Sequence, residues 1–295
     1  MNSRKFLSSV LLTALSLAGA EAGARDSISA VEKAPERPAE GIQDNSFLVE
    51  EAYNQEPGVV QHIFNIVYSA TRHAGADEDQ WSFVFTQEWP VFTQAHQFSY
   101  TLPYTFLDTE GGSEDGIEDI SLNYRYQALM ETATMPAFAP RLSLVLPTGD
   151  EDKGFGNDTL GYQINLPVSK IVTDRLTLHW NGGATFFPDV DDQDLVSYNL
   201  GASAIYAMTP DFNFMVEAVA NWDEELDDFG GTDREAAVVI SPGFRYAFNH
   251  PHEAQTVIGL AAPIGLTSAA PDFGVFIYAS FEHFFYRPKS DGAGK

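Results

Sequence analysis

Arg141–Ser169 reads RLSLVLPTGDEDKGFGNDTLGYQINLPVS, two alternating stretches around one acidic, glycine-punctuated connection. In the first, Leu142, Leu144 and Leu146 share one face, and Arg141, Ser143 and Val145 share the other. In the second, Leu160, Tyr162, Ile164, Leu166 and Val168 oppose Gly161, Gln163, Asn165 and Ser169. Side chains alternate faces along a strand, so each stretch is a strand with one oily and one polar face. Each is about ten residues long, the length a tilted strand needs to cross a bilayer. A single such hairpin also fits a soluble sheet, so the reading turns on recurrence.

The pattern recurs along the chain. Val60, Phe64, Ile66 and Tyr68 oppose Gln61, Asn65 and Ser69; Phe98, Tyr100, Leu102 and Tyr104 oppose Gln97, Ser99, Thr101 and Thr105. Val196, Tyr198 and Leu200 oppose Ser197, Asn199 and Gly201, and Phe244 and Tyr246 oppose Gly243 and Arg245. Counting through Phe273–Phe285 gives about twelve segments, the signature of a transmembrane antiparallel up-and-down β-barrel. A soluble sandwich has fewer, shorter strands and would have to bury all these aromatics. The connections give an independent sign. Those near 70–79, 107–117, 147–158, 187–194, 222–235 and 267–271 read as long and acidic, and alternate with shorter turns. Long external loops opposite short periplasmic turns fit that architecture.

The ends of the chain fix the compartment. Arg4 and Lys5 precede the apolar run Phe6–Leu17, and Ala18-Gly19-Ala20 and Ala22-Gly23-Ala24 supply small residues for cleavage. This predicts a secretory signal over 1–24. Residues 25–57 read as an acidic periplasmic leader in which Phe47–Asn54 is apolar enough to order against the barrel, 58–286 as the barrel, and 287–295 as a flexible tail. No later segment approaches the roughly 18 uninterrupted apolar residues of a membrane helix. The sequence has no cysteine, which excludes disulfides, thiolate metal sites and a cysteine nucleophile. A net charge of −26 repels nucleic acid. The expected setting is the outer membrane of a Gram-negative bacterium, with acidic loops outside and both termini periplasmic. The expected partners are outer-membrane lipid and lipopolysaccharide, the barrel-assembly machinery and an unidentified small solute.

Gly116-Ile117-Glu118-Asp119-Ile120, Pro147-Thr148-Gly149 followed by Gly154 and Gly156, and the ending Phe273–Phe285 together resemble a known family. It is that of the outer-membrane transporters called the MetA-pathway of phenol degradation family. The resemblance runs from about Gly58 to Phe285 and implies a barrel with a transport role. It brings no catalytic residues and no substrate with it.

Individual motifs carry less chemistry than the pattern does. PTGDEDKGFGN lacks the Gly-Lys-Ser/Thr of a phosphate loop and the spacing of an EF-hand, which leaves an acidic external turn. By strand parity Arg125, Arg141, Arg245, Glu88, Asp119, Glu217, Glu282 and His179 project into the lumen as pore-lining candidates. Charged rings of this kind set ion selectivity, whereas ion pairs would fill the lumen. We expect the arginines to pair with Glu88, Glu217 or Glu282, because isolated buried charge is costly, leaving a weak cation preference. Gly161, Gly183, Gly201 and Gly243 suggest open space on the lumen side.

Catalysis would rest on His179 with Ser143 or Ser197, without a nucleophile elbow. A pore-lining histidine accounts for it more simply. His250 and His252 read as a solvated turn, and Trp81, Trp89, Trp180 and Tyr126 as membrane-interface aromatics. The expectation is therefore a channel for passive passage of small molecules, aromatic or hydrophobic ones included, with no cofactor, no metal and no enzymatic activity. The alternatives are a barrel enzyme acting on lipid and a structural barrel with a filled lumen.

Overall fold

Each alternating stretch becomes a strand, and pairing in chain order wraps the strands into a cylinder. The computed structural model describes residues 42, 46–73, 76–227 and 229–285. The signal over 1–24, most of the leader and the tail lie outside them. The strands are β1 (Val59–His73), β2 (Ala76–Val91), β3 (Thr93–Thr109), β4 (Gly112–Ile117), β5 (Ile120–Tyr126), β6 (Ala137–Phe138), β7 (Arg141–Leu146) and β8 (Gly161–Asn165). They continue as β9 (Val168–Thr173), β10 (Leu176–Val190), β11 (Gln193–Thr209), β12 (Phe212–Leu226), β13 (Thr232–Asn249), β14 (Gln255–Ala261), β15 (Ile264–Gly265) and β16 (Phe273–Phe284). Taking β4 with β5, β6 with β7, β8 with β9 and β14 with β15 as single interrupted staves, the described residues form a closed 12-strand antiparallel barrel. The ladder closes where β1 meets β16, from Val59 opposite Phe284 to Ala70 opposite Phe273. Closure leaves no unpaired edge.

Some of the staves are interrupted at prolines, which cannot donate to a ladder. Carbonyls at these breaks find neighbouring amides: Glu118 N donates to Pro103 O at 3.1 Å, Ala262 N to Pro242 O at 3.0 Å, and Gly274 N to Pro263 O at 2.8 Å. The outward face is apolar as read, with Leu142, Leu200, Tyr206, Phe244 and Ile258 exposed and the facing polar residues buried.

The connections differ from expectation. Most of the stretches read as long acidic loops are continuations of strands: β3 runs to Thr109 and β4 resumes at Gly112; β10 runs to Val190 and β11 resumes at Gln193. Beyond a membrane both faces of a hairpin meet water, so polarity there marks solvent and not the end of the ladder. The connection 147–160 is a true loop, carrying one short 3-10 turn over Glu151–Lys153.

Candidate functional site in the barrel lumen

The chain's own N-terminal segment enters the lumen. Ser46–Gln55 lies inside the barrel, and hydrogen bonds tie it to strands all round the wall. Leu48 N and Val49 N donate to Glu217 Oε1 of β12 at 3.0 and 3.1 Å. Ala52 N donates to Ser169 Oγ of β9 at 2.7 Å. Asn54 N donates to Gln127 Oε1 at 3.1 Å and Gln55 N to Gln97 Oε1 at 2.7 Å. Ser46 Oγ meets Ser203 Oγ of β11 at 2.9 Å. This extended segment has no ladder of its own, so its buried amides depend on wall side chains.

Phe47 supplies the apolar anchor. Its ring stacks on Phe276 at 5.3 Å between centroids and tilts against Tyr278 at 5.2 Å. Ile63, Ile205, Met215, Ala247, Val257 and Ala261 complete this buried cluster, and Ile42 packs against it. Glycine makes the room: a Cβ on Gly259 would lie 2.3 Å from the Phe47 ring, and one on Gly243 would lie 3.0 Å from it. These lumen-side glycines, together with Gly201 beside Val49, seat the segment and do not leave open space. Gly161 likewise admits the ring of Phe187.

Glu50 is the electrostatic centre of the segment. Its Oε1 lies 3.2 Å from Arg125 Nη1, and its Oε2 lies 2.8 Å from Arg141 Nε and 2.7 Å from Asn165 Nδ2. Arg125 also donates to Asn54 Oδ1 and to the carbonyls of Glu51 and Tyr53. Burial would raise the Glu50 carboxyl, yet Arg141 and Arg125 hold it below its ordinary value of 4.5.

All eight pore-lining candidates sit on the barrel wall; Arg245 stands within electrostatic reach of Glu217, one of the carboxylates expected for it, whereas Arg125 and Arg141 take a different partner. Arg125 and Arg141 pair with Glu50 of the leader. Glu88 instead accepts from Gln97 Nε2 at 2.8 Å, and Glu217 holds plug amides. Strand-to-strand reasoning could not show this, because the counter-charge arrives from outside the barrel repeat. Arg245 and Glu217 are both buried at the segment's anchor, and Glu282 stands in register with Gln61 and Gln255 near the turn end. Asp119 binds a loop: its Oδ1 accepts Thr148 N at 3.0 Å and Gly149 N at 2.9 Å, and its Oδ2 accepts Asn157 N at 3.4 Å. That contact joins the two glycine-based motifs, and it tucks Phe155 into the mouth beneath Gly116.

His179 faces Ser169, with Nδ1 and Oγ 2.7 Å apart, and neither Ser143 nor Ser197 is its cross-strand neighbour. Ser169 is fully buried and occupied by the Ala52 amide, so this pair fastens the segment. The residues the sequence reading passed over are the inward apolar ones. Their signal lies in β16, where Phe276 and Tyr278 face inward while Phe273, Val275 and Ile277 face out. A strand that is oily on both faces needs an apolar partner on each.

Above the segment a cavity of about 390 Å³ opens towards the 147–160 loop. Its floor includes Phe47, Leu48 and Glu50, its wall Asn65, Asn123, Asn181 and Arg141, and its rim Phe155 and Phe187.

A closed twelve-stranded barrel with oily outer and polar inner faces is a barrel of the outer-membrane type. A family model described as "Putative MetA-pathway of phenol degradation" matches residues 62–281. The chain belongs to that family. Among solved structures, an outer membrane channel from Pseudomonas putida F1 is 14% identical with a TM-score of 0.64, covering 83% of this chain and 100% of that one. The NanC porin is 9% identical with a TM-score of 0.46, covering 76% and 100%. The KdgM porin is 10% identical with a TM-score of 0.43, covering 75% and 99%. No curated protein matches the sequence.

Proposed function

We propose that this protein is an outer-membrane channel for passive passage of small molecules, kept shut by Ser46–Gln55. The acidic hairpins lie outside, and the turn end with both termini is periplasmic. The carrying observation is the cavity of about 390 Å³ that ends on the inserted segment and not on barrel wall. Its lining mixes aromatic rings with amides, hydroxyls and ionisable side chains, among them Glu50, Glu88, Asp119 and Arg141, which suits small solutes that combine an apolar body, aromatic ones included, with a polar group.

The stopper is built to be removable. Fixing its backbone costs about 1–2 kcal/mol per residue. Wall hydrogen bonds return about 1 kcal/mol each, and burying the Phe47 ring roughly 1.5–3 kcal/mol. The ordering cost opposes the docking contacts, as a segment that can leave the lumen requires. The test is planar-bilayer conductance of the full chain against a variant lacking Ser46–Gln55. The full chain should be mostly closed and the deletion variant persistently open. A deletion variant that folds and inserts yet passes no current would leave a structural barrel as the reading.

A further inference from the structure

We infer that Arg125 and Arg141 form a carboxylate-binding site of the barrel, which Glu50 fills in the closed state and a small monocarboxylate with an apolar body takes over to release the segment. The inference rests on the channel reading above.

The barrel itself creates the site. Arg125 and Arg141 are direct partners across the β5–β7 pair, and both point inward. Like charges placed opposite one another repel, and two guanidinium groups on a buried wall need an anion between them. The anion that arrives is a carboxylate, held with one oxygen on each arginine and Asn165 Nδ2 on the second oxygen. Those donors match a planar, two-oxygen group. Glu88 lies within electrostatic reach of both arginines, yet it is hydrogen-bonded to Gln97 and does not enter the site.

The site is reachable from the cavity, since Glu50 and Arg141 both line it. Arg141 spends Nη1 on Asn123 and Ser143 and Nε on Glu50, which leaves Nη2 without a hydrogen-bond partner among the described residues. An incoming carboxylate can therefore engage Arg141 before Glu50 departs. Its apolar body has Phe155 and Phe187 in the same cavity. Such a ligand opens the channel because the complete arginine pair is free to it only when Glu50 has left.

The experiment uses purified full-length protein, with benzoate as the probe and benzamide as its neutral isostere. In planar bilayers at constant ionic strength, benzoate should raise the open probability of wild type by at least about fivefold, a typical coupling between two ligands. Benzamide should not. In Glu50→Ala, exchanging chloride for acetate should raise the unfolding temperature, and adding Arg141→Gln should abolish that rise. Glu50→Gln, which preserves shape, provides the same comparison should the alanine variant fail to fold. Equal effects of benzoate and benzamide, or an acetate effect that survives Arg141→Gln, would overturn the inference. Failure of the channel reading is recognised separately: the segment-deleted barrel would not conduct, while the acetate comparison would still report on the arginine pair.

Discussion

At the scale of single residues, Glu50 carries the most consequence. Removing one partner from a buried ion pair typically costs about 3–5 kcal/mol, because the other charge stays behind uncompensated. Here two arginines would be left. The same residue makes docking of the segment pH-dependent. The Glu50 carboxyl is held below its ordinary value of 4.5 when docked, so docking favours the ionised form. This contribution is fully present above 4.5 and is lost as pH falls through the lowered docked value. Channel activity of wild type should therefore stay low down to that range and rise only on further acidification. Glu50→Gln should remove the Glu50 step and leave whatever Glu131 and Glu217, which also bind the segment, contribute. A wild-type profile that Glu50→Gln does not alter would show that Glu50 plays no part in closure.

At the scale of elements, the 147–160 loop is organised by one carboxylate. Asp119 accepts three of the loop's backbone amides, and Gly149 and Gly156 pack too closely there for a side chain. A lost hydrogen bond that strands a buried donor costs about 1–3 kcal/mol. Asp119→Ala should thus loosen the loop without unfolding the barrel, whose ladders do not involve this side chain. One or two kcal/mol corresponds to roughly a 5–30-fold larger open fraction. Limited trypsin digestion measures it, since Lys153 sits exposed in the loop. Cleavage after Lys153 should accelerate by a factor in that range, and an unchanged rate would mean that the loop is held by other contacts.

At the scale of the whole molecule, the closed ladder and the inserted segment contribute different kinds of stability. Closure pairs every stave with two neighbours, so the barrel should resist detergent until heated. Unheated protein should run faster on denaturing gels than boiled protein, and the segment-deleted variant should keep that shift because the β16–β1 seam does not include the segment. Loss of the shift on deletion would mean that the segment is needed for the barrel to stand. The outer face predicts membrane residence just as directly: apolar side chains such as Leu142, Leu200 and Phe244 are exposed and have no protein partner to cover them.

Period-two alternation by itself determined that this chain is a barrel, about how many staves it has and which residues face inward. Those properties follow from strand geometry, which acts between near neighbours in sequence. The motif glycines and Asp119 were also visible as a pattern, although their joint role in pinning the loop was not. Only the tertiary structure decided what fills the lumen. Glu50 lies far in sequence from Arg125 and Arg141, and nothing in the local alternation of either strand specifies a partner from outside the repeat. The same holds for Phe47 against Gly243 and Gly259: a glycine facing a lumen reads as space until the ring that occupies it is known. Charge balance and packing inside a closed barrel are set by whatever enters it, and here that is the chain's own N-terminal segment.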